Sequence, residues 1–198
     1  IFSKIQYSEI KLNSKNHELL LCARAIFTPT KQQIYLRKKY IINSAGMNVQ
    51  YIIRNESNKP LNIKFAVESN FAHTNFNPDN ITYYNLETVE NEKVKIFDTS
   101  KTSLEQKEKD ELTNIDTIRL TDSESGISFC FEPNENCGYF YEPLFFKRPN
   151  CEGILKDANL TFVSTLYWNI NLEPGHETEK TINFSITSVK KQKTITNE

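Results

Sequence analysis

The sequence predicts an all-β fold, an antiparallel two-layer β-sandwich that forms a single domain over residues 1–198. Three observations favour this class. Apolar and polar residues alternate along several segments, turn-forming residues separate those segments, and hardly any segment has the spacing of an amphipathic helix. About ten strands are expected, with no internal repeat and no linker that divides the chain. All-β sandwiches of this length commonly remain undivided.

The first predicted strands lie between residues 18 and 43. Residues 18–27, ELLLCARAIF, are apolar at both parities, which is typical of a central strand buried on both faces, and Pro29 ends the run. Gln33–Asn43 has mixed faces. This pattern indicates an edge strand, or one that passes from the rim of a sheet into the core.

The clearest alternation lies in residues 40–71 and predicts a hairpin with one buried face. That face would consist of apolar residues from both strands: Met47, Val49, Tyr51 and Ile53 before the turn, and Leu61, Ile63, Phe65 and Val67 after it. Polar residues take the other face. The second strand ends in Glu68-Ser69-Asn70 and therefore carries polar groups to a sheet surface or rim.

Shorter strands and one charged segment follow. We expect short strands at Ile81–Asn85 and Lys93–Phe97, and an exposed excursion over residues 98–114, which are strongly charged. The further predicted strands are Ile115–Thr121, Gly126–Glu132, Leu160–Leu172 and a last strand with Ile182, Phe184 and Ile186 inward. In Leu160–Leu172 the residues expected to face inward are Leu160, Phe162, Leu166, Trp168, Ile170 and Leu172.

The charge balance argues against two classes of partner. Lys and Arg total 24 and Asp and Glu total 25, which gives a formal net charge of -1. Such a chain has no electrostatic footprint for nucleic acid or for an anionic membrane. Its apolar runs are far shorter than the roughly 20 residues that span a bilayer. We therefore expect a soluble protein with no nucleic-acid or membrane partner.

The cysteines predict free, buried thiols in a reducing compartment, and hence a cytoplasmic location. They are Cys22, Cys130, Cys137 and Cys151, and they contain no CxxC pair. The three histidines lie far from them in sequence, so no metal site is expected. With five glycines and no phosphate-binding loop, the chain is expected to bind no nucleotide cofactor.

Standard catalytic signatures are missing, so no catalytic residue is assigned. The chain begins with Ile1, without an initiating Met or a leader peptide. We expect a piece cut from a longer protein, with a processed protein as the other possibility.

Two polar arrangements near the end of the 40–71 hairpin are candidates for a site. Glu68 and His73 could act as an acid and a base on a strand end and its loop. A carboxylate pair among Glu68, Glu132 and Glu142 could do glycosidic chemistry if its members lay about 5 to 10 Å apart. Alternatively, Glu68 has a structural role and accepts hydrogen bonds from backbone N–H groups of the loop. As carbohydrate-binding candidates we take Glu68, Asn70 and His73.

Aromatic residues supply the remaining carbohydrate-binding candidates. Tyr139, Tyr141 and Tyr167 could each present a ring face and a hydroxyl, and of these we select Tyr141 and Tyr167. Trp168 shares its parity with Leu166 and Ile170, so we expect it in the core.

Residues 40–71, with their Phe-Ala-Val-Glu-Ser-Asn-Phe ending, resemble the start of the C-terminal domain of family-57 glycoside hydrolases of the α-amylase and 4-α-glucanotransferase type. The strand with Trp168 that leads into Leu-Glu-Pro-Gly at 172–175 is similar to the end of that domain, and residues 141–144 to its aromatic-x-Pro step. The likeness spans roughly residues 30–187. Residues 147–153 are shorter than the polar segment of the family.

The resemblance implies a galactose-mutarotase-like supersandwich whose parent enzyme carries its catalytic carboxylates in a separate N-terminal (β/α) barrel. The chain would then be a non-catalytic C-terminal domain that supports the barrel and contacts α-glucan or another carbohydrate. Two alternatives remain open. One is an aldose-1-epimerase-like enzyme that uses Glu68 and His73, and the other is a structural interaction sandwich without a sugar ligand.

Overall fold

A computed structural model of the chain describes residues 2–44, 46–72, 76–97, 99, 112–122 and 124–188. These residues form twelve β-strands and one three-residue 3-10 helix, Phe2–Lys4. The predicted all-β class is therefore confirmed. No helix among the described residues is long and apolar enough to cross a membrane.

The bounds of the strands differ in places from the predicted ones. In chain order they are β1 (Glu9–Asn13), β2 (Glu18–Phe27), β3 (Gln32–Asn43), β4 (Gly46–Asn55), β5 (Leu61–Ala72), β6 (Asn85–Glu90), β7 (Lys93–Phe97), β8 (Thr117–Asp122), β9 (Ile127–Pro133), β10 (Gly138–Pro149), β11 (Leu155–Leu172) and β12 (Glu177–Ser188).

The described residues divide into two compact units. The first comprises those within Ile1–Val67, Phe131–Gly138 and Leu166–Ser185. The second comprises those within Glu68–Cys130, Tyr139–Thr165 and Ile186–Glu198. Long strands such as β5 and β11 contribute residues to both units. The single domain over residues 1–198 stays a prediction.

One layer of the first unit is a sheet with the strand order β1, β2, β3, β4, β12 and then the end of β9. The pairs from β1 to β4, and β4 with β12, are antiparallel. Leu36 lies opposite Ile53, and Val49 lies opposite Ile182. All four side chains are buried, so this face of the sheet forms the core that the 40–71 alternation predicts.

The other layer of the first unit comes from β5 and β11. The Phe65 ring centroid on β5 lies 5.4 Å from that of Tyr51 on β4 and 6.2 Å from that of Trp168 on β11. Trp168 is 4% exposed, which confirms its predicted place in the core. The contact of Phe65 with Tyr51 joins the two layers of the unit, whereas the contact with Trp168 lies within one layer, because β5 pairs with β11. The hairpin predicted for residues 40–71 is therefore wrong, since β4 and β5 belong to different sheets.

The second unit also has two layers. One contains β9, β8, β6 and β7 in that order, with Leu86 opposite Leu120. The other contains parts of β5, β10 and β11. The Phe162 ring on β11 lies 5.3 Å from the Tyr84 ring and 5.4 Å from the Tyr141 ring, centroid to centroid. Aromatic packing therefore fills this core.

Strand β1 was not predicted, because its sequence gives little signal. Glu9–Asn13 alternates charged and apolar residues over only five positions, and both Ile10 and Leu12 are exposed. It pairs with β2 at the edge of the sheet. The predicted central strand β2 is thus second from the edge, and it is not buried on both faces because Arg24 and Ile26 are exposed.

Several predicted positions are wrong in detail. The strand expected at Ile81–Asn85 begins only at Asn85. Leu160 and Ile186 were expected inward, but they are 45% and 55% exposed. In β11 the alternation breaks down where Phe162, Val163 and Ser164 are all buried. The other five residues predicted to face inward in this strand are all buried, which confirms their parity: Phe162, Leu166, Trp168, Ile170 and Leu172.

The predicted charged excursion falls mostly outside the described residues, which include only Thr99 and residues 112–114 of it. The described residues of this segment are not all exposed to solvent. Leu112 is 1% exposed, and the Thr99 hydroxyl, 2% exposed, donates to the Tyr84 carbonyl oxygen. The excursion is thus anchored where Thr99 and Leu112 enter the core.

None of the four cysteines forms a disulfide bond, as predicted. Cys22 and Cys137 are buried, Cys130 is half-buried, and Cys151 is exposed. The expectation of buried thiols is therefore wrong for Cys151. No group of three or more His, Cys, Asp and Glu side chains within the described part of the chain could hold a metal ion.

Candidate functional site

Glu68 and Asn70 lie on the exposed face of β5 in the second unit. Odd-numbered residues of this strand point toward the core, where the Phe71 ring packs 4.6 Å from that of Phe129. Even-numbered residues are exposed, and the Asn70 amide donates a hydrogen bond of 3.1 Å to Glu68 Oε1. The two side chains form a small polar pair that solvent or a ligand can reach.

His73 lies outside the described residues. The acid and base arrangement of Glu68 with His73 therefore stays a prediction.

Tyr141 lies in the core of the second unit, not on its surface. The side chain is 3% exposed, and its ring is stacked on Phe162 at an interplanar angle of 14°. Because both neighbouring layers enclose it, the ring has no free face for a sugar to stack on.

Tyr167 lies on the outer face of β11 in the first unit and is half-buried. Its ring covers Gly138 of β10 so closely that a methyl group at position 138 would overlap the ring. The Lys64 ammonium nitrogen lies 4.3 Å from the ring centroid. The aromatic surface is thus already in contact with a glycine backbone and with a cation, which holds the ring in place.

A groove of about 470 Å³ crosses the outer face of the sheet in the first unit. Except for Leu12 at the edge of the sheet, its lining residues lie on the parity opposite to Val49, Tyr51 and Ile53, which face the core. The lining residues come from five neighbouring strands: Lys11, Leu12 and Asn13 of β1, Glu18 and Leu20 of β2, Arg37 and Lys39 of β3, Gln50 and Ile52 of β4, and Glu179 of β12.

The strand register explains why these residues converge. Leu20 lies opposite Lys39, and Lys39 lies opposite Gln50. In the next row Arg37 lies opposite Ile52, which in turn lies opposite Glu179. Cross-strand partners on one face are close neighbours, so two rows of mixed polar and apolar side chains form the floor.

Two polar side chains of the groove are uncommitted. Glu18 and Lys39 form an ion pair of 2.9 Å, and Glu179 accepts a hydrogen bond from Thr181. In contrast, Arg37 and Gln50 make no hydrogen bond or ion pair with any other described residue. Their guanidinium and amide groups can both donate to a ligand, and the Gln50 oxygen can also accept.

A charged cluster borders the groove in the adjoining row of the same face. Arg24, Tyr35 and Arg54 are consecutive cross-strand partners, and each guanidinium carbon lies 5.0 Å from the Tyr35 ring centroid. Both arginines donate to Glu56, at 2.8 and 3.2 Å from Arg24 and 2.6 Å from Arg54. These bonds, chiefly the one from Arg24, hold the pKa of Glu56 below its usual value of 4.5.

The Tyr35 hydroxyl fixes the inner side of this cluster. It donates to Cys22 Sγ at 3.2 Å, and this bond raises the pKa of Tyr35. The groups of the cluster satisfy one another, so Arg37 and Gln50 remain the uncommitted polar side chains next to it.

The groove was not predictable from the sequence. Most of its residues lie on the outer face of strands whose inner face forms the core. The sequence alone does not show which five strands are neighbours. One signal was present, since the mixed faces noted for Gln33–Asn43 reflect Arg37 and Lys39 on the groove side.

One family model matches most of the chain. Residues 2–145 match the family model described as alpha-amylase/4-alpha-glucanotransferase, C-terminal. This match confirms the resemblance identified in residues 40–71, whereas the motif around Trp168 lies beyond the matched range. No curated protein sequence matches the chain.

Solved structures with the same fold include a glucanotransferase and galactose mutarotase-like proteins. The 4-alpha-glucanotransferase from Thermococcus litoralis matches with a TM-score of 0.60 and 15% identity, over 89% of this chain but only 22% of that one. A galactose mutarotase-like protein from Lactobacillus casei gives 0.56 and 10% identity, over 90% and 72%. A galactose mutarotase related enzyme from Lactobacillus acidophilus gives 0.58 and 8%, over 93% and 72%. These similarities confirm the galactose-mutarotase-like sandwich.

Proposed function

Because the chain belongs to the family of alpha-amylase and 4-alpha-glucanotransferase C-terminal domains, we propose that it is the non-catalytic C-terminal β-sandwich of an enzyme that processes α-glucan. The observation that carries this proposal is the family match over residues 2–145. The chain also spans only 22% of the glucanotransferase that shares its fold. In this proposal a separate N-terminal (β/α) barrel supplies the catalytic carboxylates.

We propose the groove as the carbohydrate contact of the domain. Its lining combines three cations with two carboxylates, so it has no strong preference for a charged ligand. Arg37 and Gln50 offer uncommitted hydrogen-bonding groups, and Leu20 and Ile52 offer an apolar floor. Sugar rings present hydroxyl groups at their edges and C–H groups on their faces, so this mixture suits a neutral oligosaccharide such as an α-glucan segment.

Four of the residues selected from the sequence remain candidates for additional contacts. Glu68 and Asn70 are exposed polar groups, and Tyr167 is partly accessible. His73 lies outside the described residues and is retained as a candidate. Tyr141 is excluded from direct contact by its burial. The sequence-predicted cytoplasmic location is retained in the proposal and accords with the buried thiols of Cys22 and Cys137.

The groove is tested by titrating the 198-residue chain with maltoheptaose and measuring the heat of binding. We expect Arg37→Ala and Gln50→Ala each to weaken binding about fivefold or more, the loss of roughly one hydrogen bond. Arg119→Ala, an exposed arginine of β8 in the second unit, serves as the control and should leave binding unchanged.

Three other results would favour a different site or one of the alternative functions. Binding that survives both groove substitutions but falls with Glu68→Ala or Tyr167→Ala would move the carbohydrate site to β5 or β11. A chain that binds no maltoheptaose at about 10 mM, a concentration well above the Kd of even a weak site, would favour the structural sandwich without a sugar ligand. Accelerated sugar mutarotation that depends on Glu68 would favour the epimerase alternative.

A further inference from the structure

One lysine on the inner face of the sheet in the first unit has no carboxylate partner. Lys38 of β3 follows Leu36 on the parity that faces the core, and its cross-strand partners are Leu21 and Tyr51. Lys38 is half-buried, and it forms no ion pair with any described residue. Lysines that are withdrawn from solvent normally have a partner of opposite charge. The position of Lys38 therefore raises the question of which anion it meets.

A second inward lysine of the same sheet shows the usual arrangement. Lys180 of β12 lies opposite Tyr51 on the side away from Lys38, so Tyr51 separates the two lysines in one cross-strand row. The Lys180 side chain is 7% exposed, and its ammonium group forms an ion pair with Glu135. Among the described residues, the fold thus supplies an anion for Lys180 but none for Lys38.

Two tyrosine hydroxyls take the place of a carboxylate at Lys38. Its ammonium group has hydrogen-bonding interactions with Tyr7, which precedes β1, and with Tyr40. The ammonium nitrogen lies 5.5 Å from the Tyr7 ring centroid and 5.6 Å from the Tyr51 ring centroid. Burial by itself lowers the pKa of Lys38, but the interactions with Tyr7 and Tyr40 outweigh it and hold the pKa above its usual value of 10.5. Lys38 is therefore a fixed positive charge at neutral pH.

The protons of the two hydroxyls are uncommitted. An ammonium group can only donate hydrogen bonds, so Tyr7 and Tyr40 face Lys38 with their oxygens as acceptors. Neither hydroxyl donates to another described residue. Both hydroxyls interact with the same nitrogen, so the three groups converge, and all three residues are only half-buried. A ligand can therefore meet one positive charge and two hydroxyl donors at the same place.

We propose that Tyr7, Lys38 and Tyr40 form a binding site for a phosphate group. A phosphate monoester carries a charge of about −1.5 to −2 at neutral pH and has three strong acceptor oxygens. It can thus neutralise Lys38 and accept hydrogen bonds from the ammonium group and from both hydroxyls. A carboxylate has only two oxygens and a single charge. The ligand is free phosphate or the phosphate group of a phosphorylated sugar.

This inference goes beyond the proposed function and does not depend on it. Lys38 has the opposite parity to Arg37 on the same strand, so it faces away from the groove that we propose for α-glucan.

Titration of the 198-residue chain with inorganic phosphate tests the site. Calorimetry in about 0.1 M sodium chloride, which screens non-specific attraction, should show one saturable site. Lys38→Met keeps a long side chain but removes the charge, and it should weaken phosphate binding about tenfold or more. Tyr7→Phe and Tyr40→Phe each remove one hydroxyl donor and should weaken binding about threefold to tenfold.

Lys59→Met is the matched control, because it removes an exposed positive charge from the turn after β4. It should leave phosphate binding unchanged. Equal losses in Lys38→Met and Lys59→Met would reveal an effect of net charge and would overturn the inference. The absence of saturable binding at about 10 mM phosphate, or acetate bound as tightly as phosphate, would also overturn it.

Amide chemical shifts of the unaltered chain supply a measurement that needs no variant. Phosphate should shift the amide resonances of Tyr7 and of residues 38–40, and it should leave those of residues 93–97 in β7 unmoved. Shifts confined to other parts of the chain would place the anion elsewhere and would contradict the assignment.

Two further ligands complete the experiment. Glucose 6-phosphate that binds more tightly than inorganic phosphate would identify a phosphorylated sugar as the ligand, whereas equal or weaker binding would identify free phosphate, and both results support the site. If the chain binds maltoheptaose but not phosphate, the inference fails and the proposed function stands. If it binds phosphate through Lys38 but no maltoheptaose, the phosphate site stands and the groove proposal fails.

Discussion

The Tyr167 ring lies directly over Gly138, in the space that a side chain at position 138 would occupy. Gly138→Ala should therefore displace the ring and its contact with Lys64, at a cost of about 1 to 3 kcal/mol in the free energy of unfolding. Urea unfolding measures this cost. Because the clash is with the ring, Gly138→Ala should cost clearly less in a Tyr167→Ala background. Additive effects of the two substitutions would show that they do not interact.

Trp168 is expected to contribute through its volume and not through a hydrogen bond. It is 4% exposed, and its indole N–H has no hydrogen-bond partner in the described structure. Trp168→Ala should lower the free energy of unfolding by about 3 to 5 kcal/mol, because it leaves a cavity. Trp168→Phe should cost much less, since the N–H it removes is unbonded. Equal losses in urea unfolding, or a Trp168→Ala chain as stable as the parent, would contradict this role.

Asn55 is expected to be intolerant of a negative charge. Its amide, 0% exposed, donates to the carbonyl oxygens of Lys59 and Leu172 at 2.8 and 3.0 Å, and its oxygen accepts from the Ser57 backbone N–H at 3.0 Å. Asn55→Asp replaces the two donors by a carboxylate oxygen facing two carbonyls. We expect a loss of about 3 kcal/mol or more at neutral pH.

The control for Asn55 is Asn62→Asp on the exposed face of β5, which should change the free energy of unfolding by less than about 0.5 kcal/mol. An Asn55→Asp chain as stable as this control at pH 7 would show that the buried amide does not hold the 55–60 turn.

Glu56 gives the first unit a stability contribution that depends on pH. Its pKa is lowered from 4.5, chiefly by the hydrogen bond from Arg24. The unfolded chain binds the proton at the higher, ordinary pKa, so the contribution is fully present above about pH 4.5. It is lost as pH falls through the lowered pKa of the folded state. We therefore expect Glu56→Gln to destabilise the chain at pH 7 and to lose stability less steeply than the parent between pH 5 and 3.

Urea unfolding across that pH range checks the prediction for Glu56. Parallel pH profiles of the parent and Glu56→Gln would mean that the arginines do not favour the ionised carboxylate.

The fold was predictable where one parity of a strand is buried throughout. Val49, Tyr51 and Ile53 are buried and alternate with the half-buried residues Gln50, Ile52 and Arg54, because one face of β4 is covered by the other layer. The prediction was incomplete for β1, where Ile10 and Leu12 have no covering layer within their unit and a local pattern carries little information.

The candidate site was less predictable than the fold, because a site depends on which strands become neighbours. Glu68 and Asn70 were correctly placed on a sheet surface, since their parity opposes Phe65 and Val67. Tyr141 was selected as an aromatic near a strand end, but β10 continues to Pro149 and encloses it. Arg37 and Gln50 acquire significance only through the register that joins β3 to β4.

The mutarotation rate of an aldose in the presence of the 198-residue chain, followed by polarimetry, tests the central claim most directly. A non-catalytic accessory domain should leave the rate at its spontaneous value, and Glu68→Gln should have no effect on it. A rate well above the spontaneous one that falls by about 10² to 10⁴ in Glu68→Gln, the usual contribution of a general acid or base, would contradict the account and identify the chain as an epimerase.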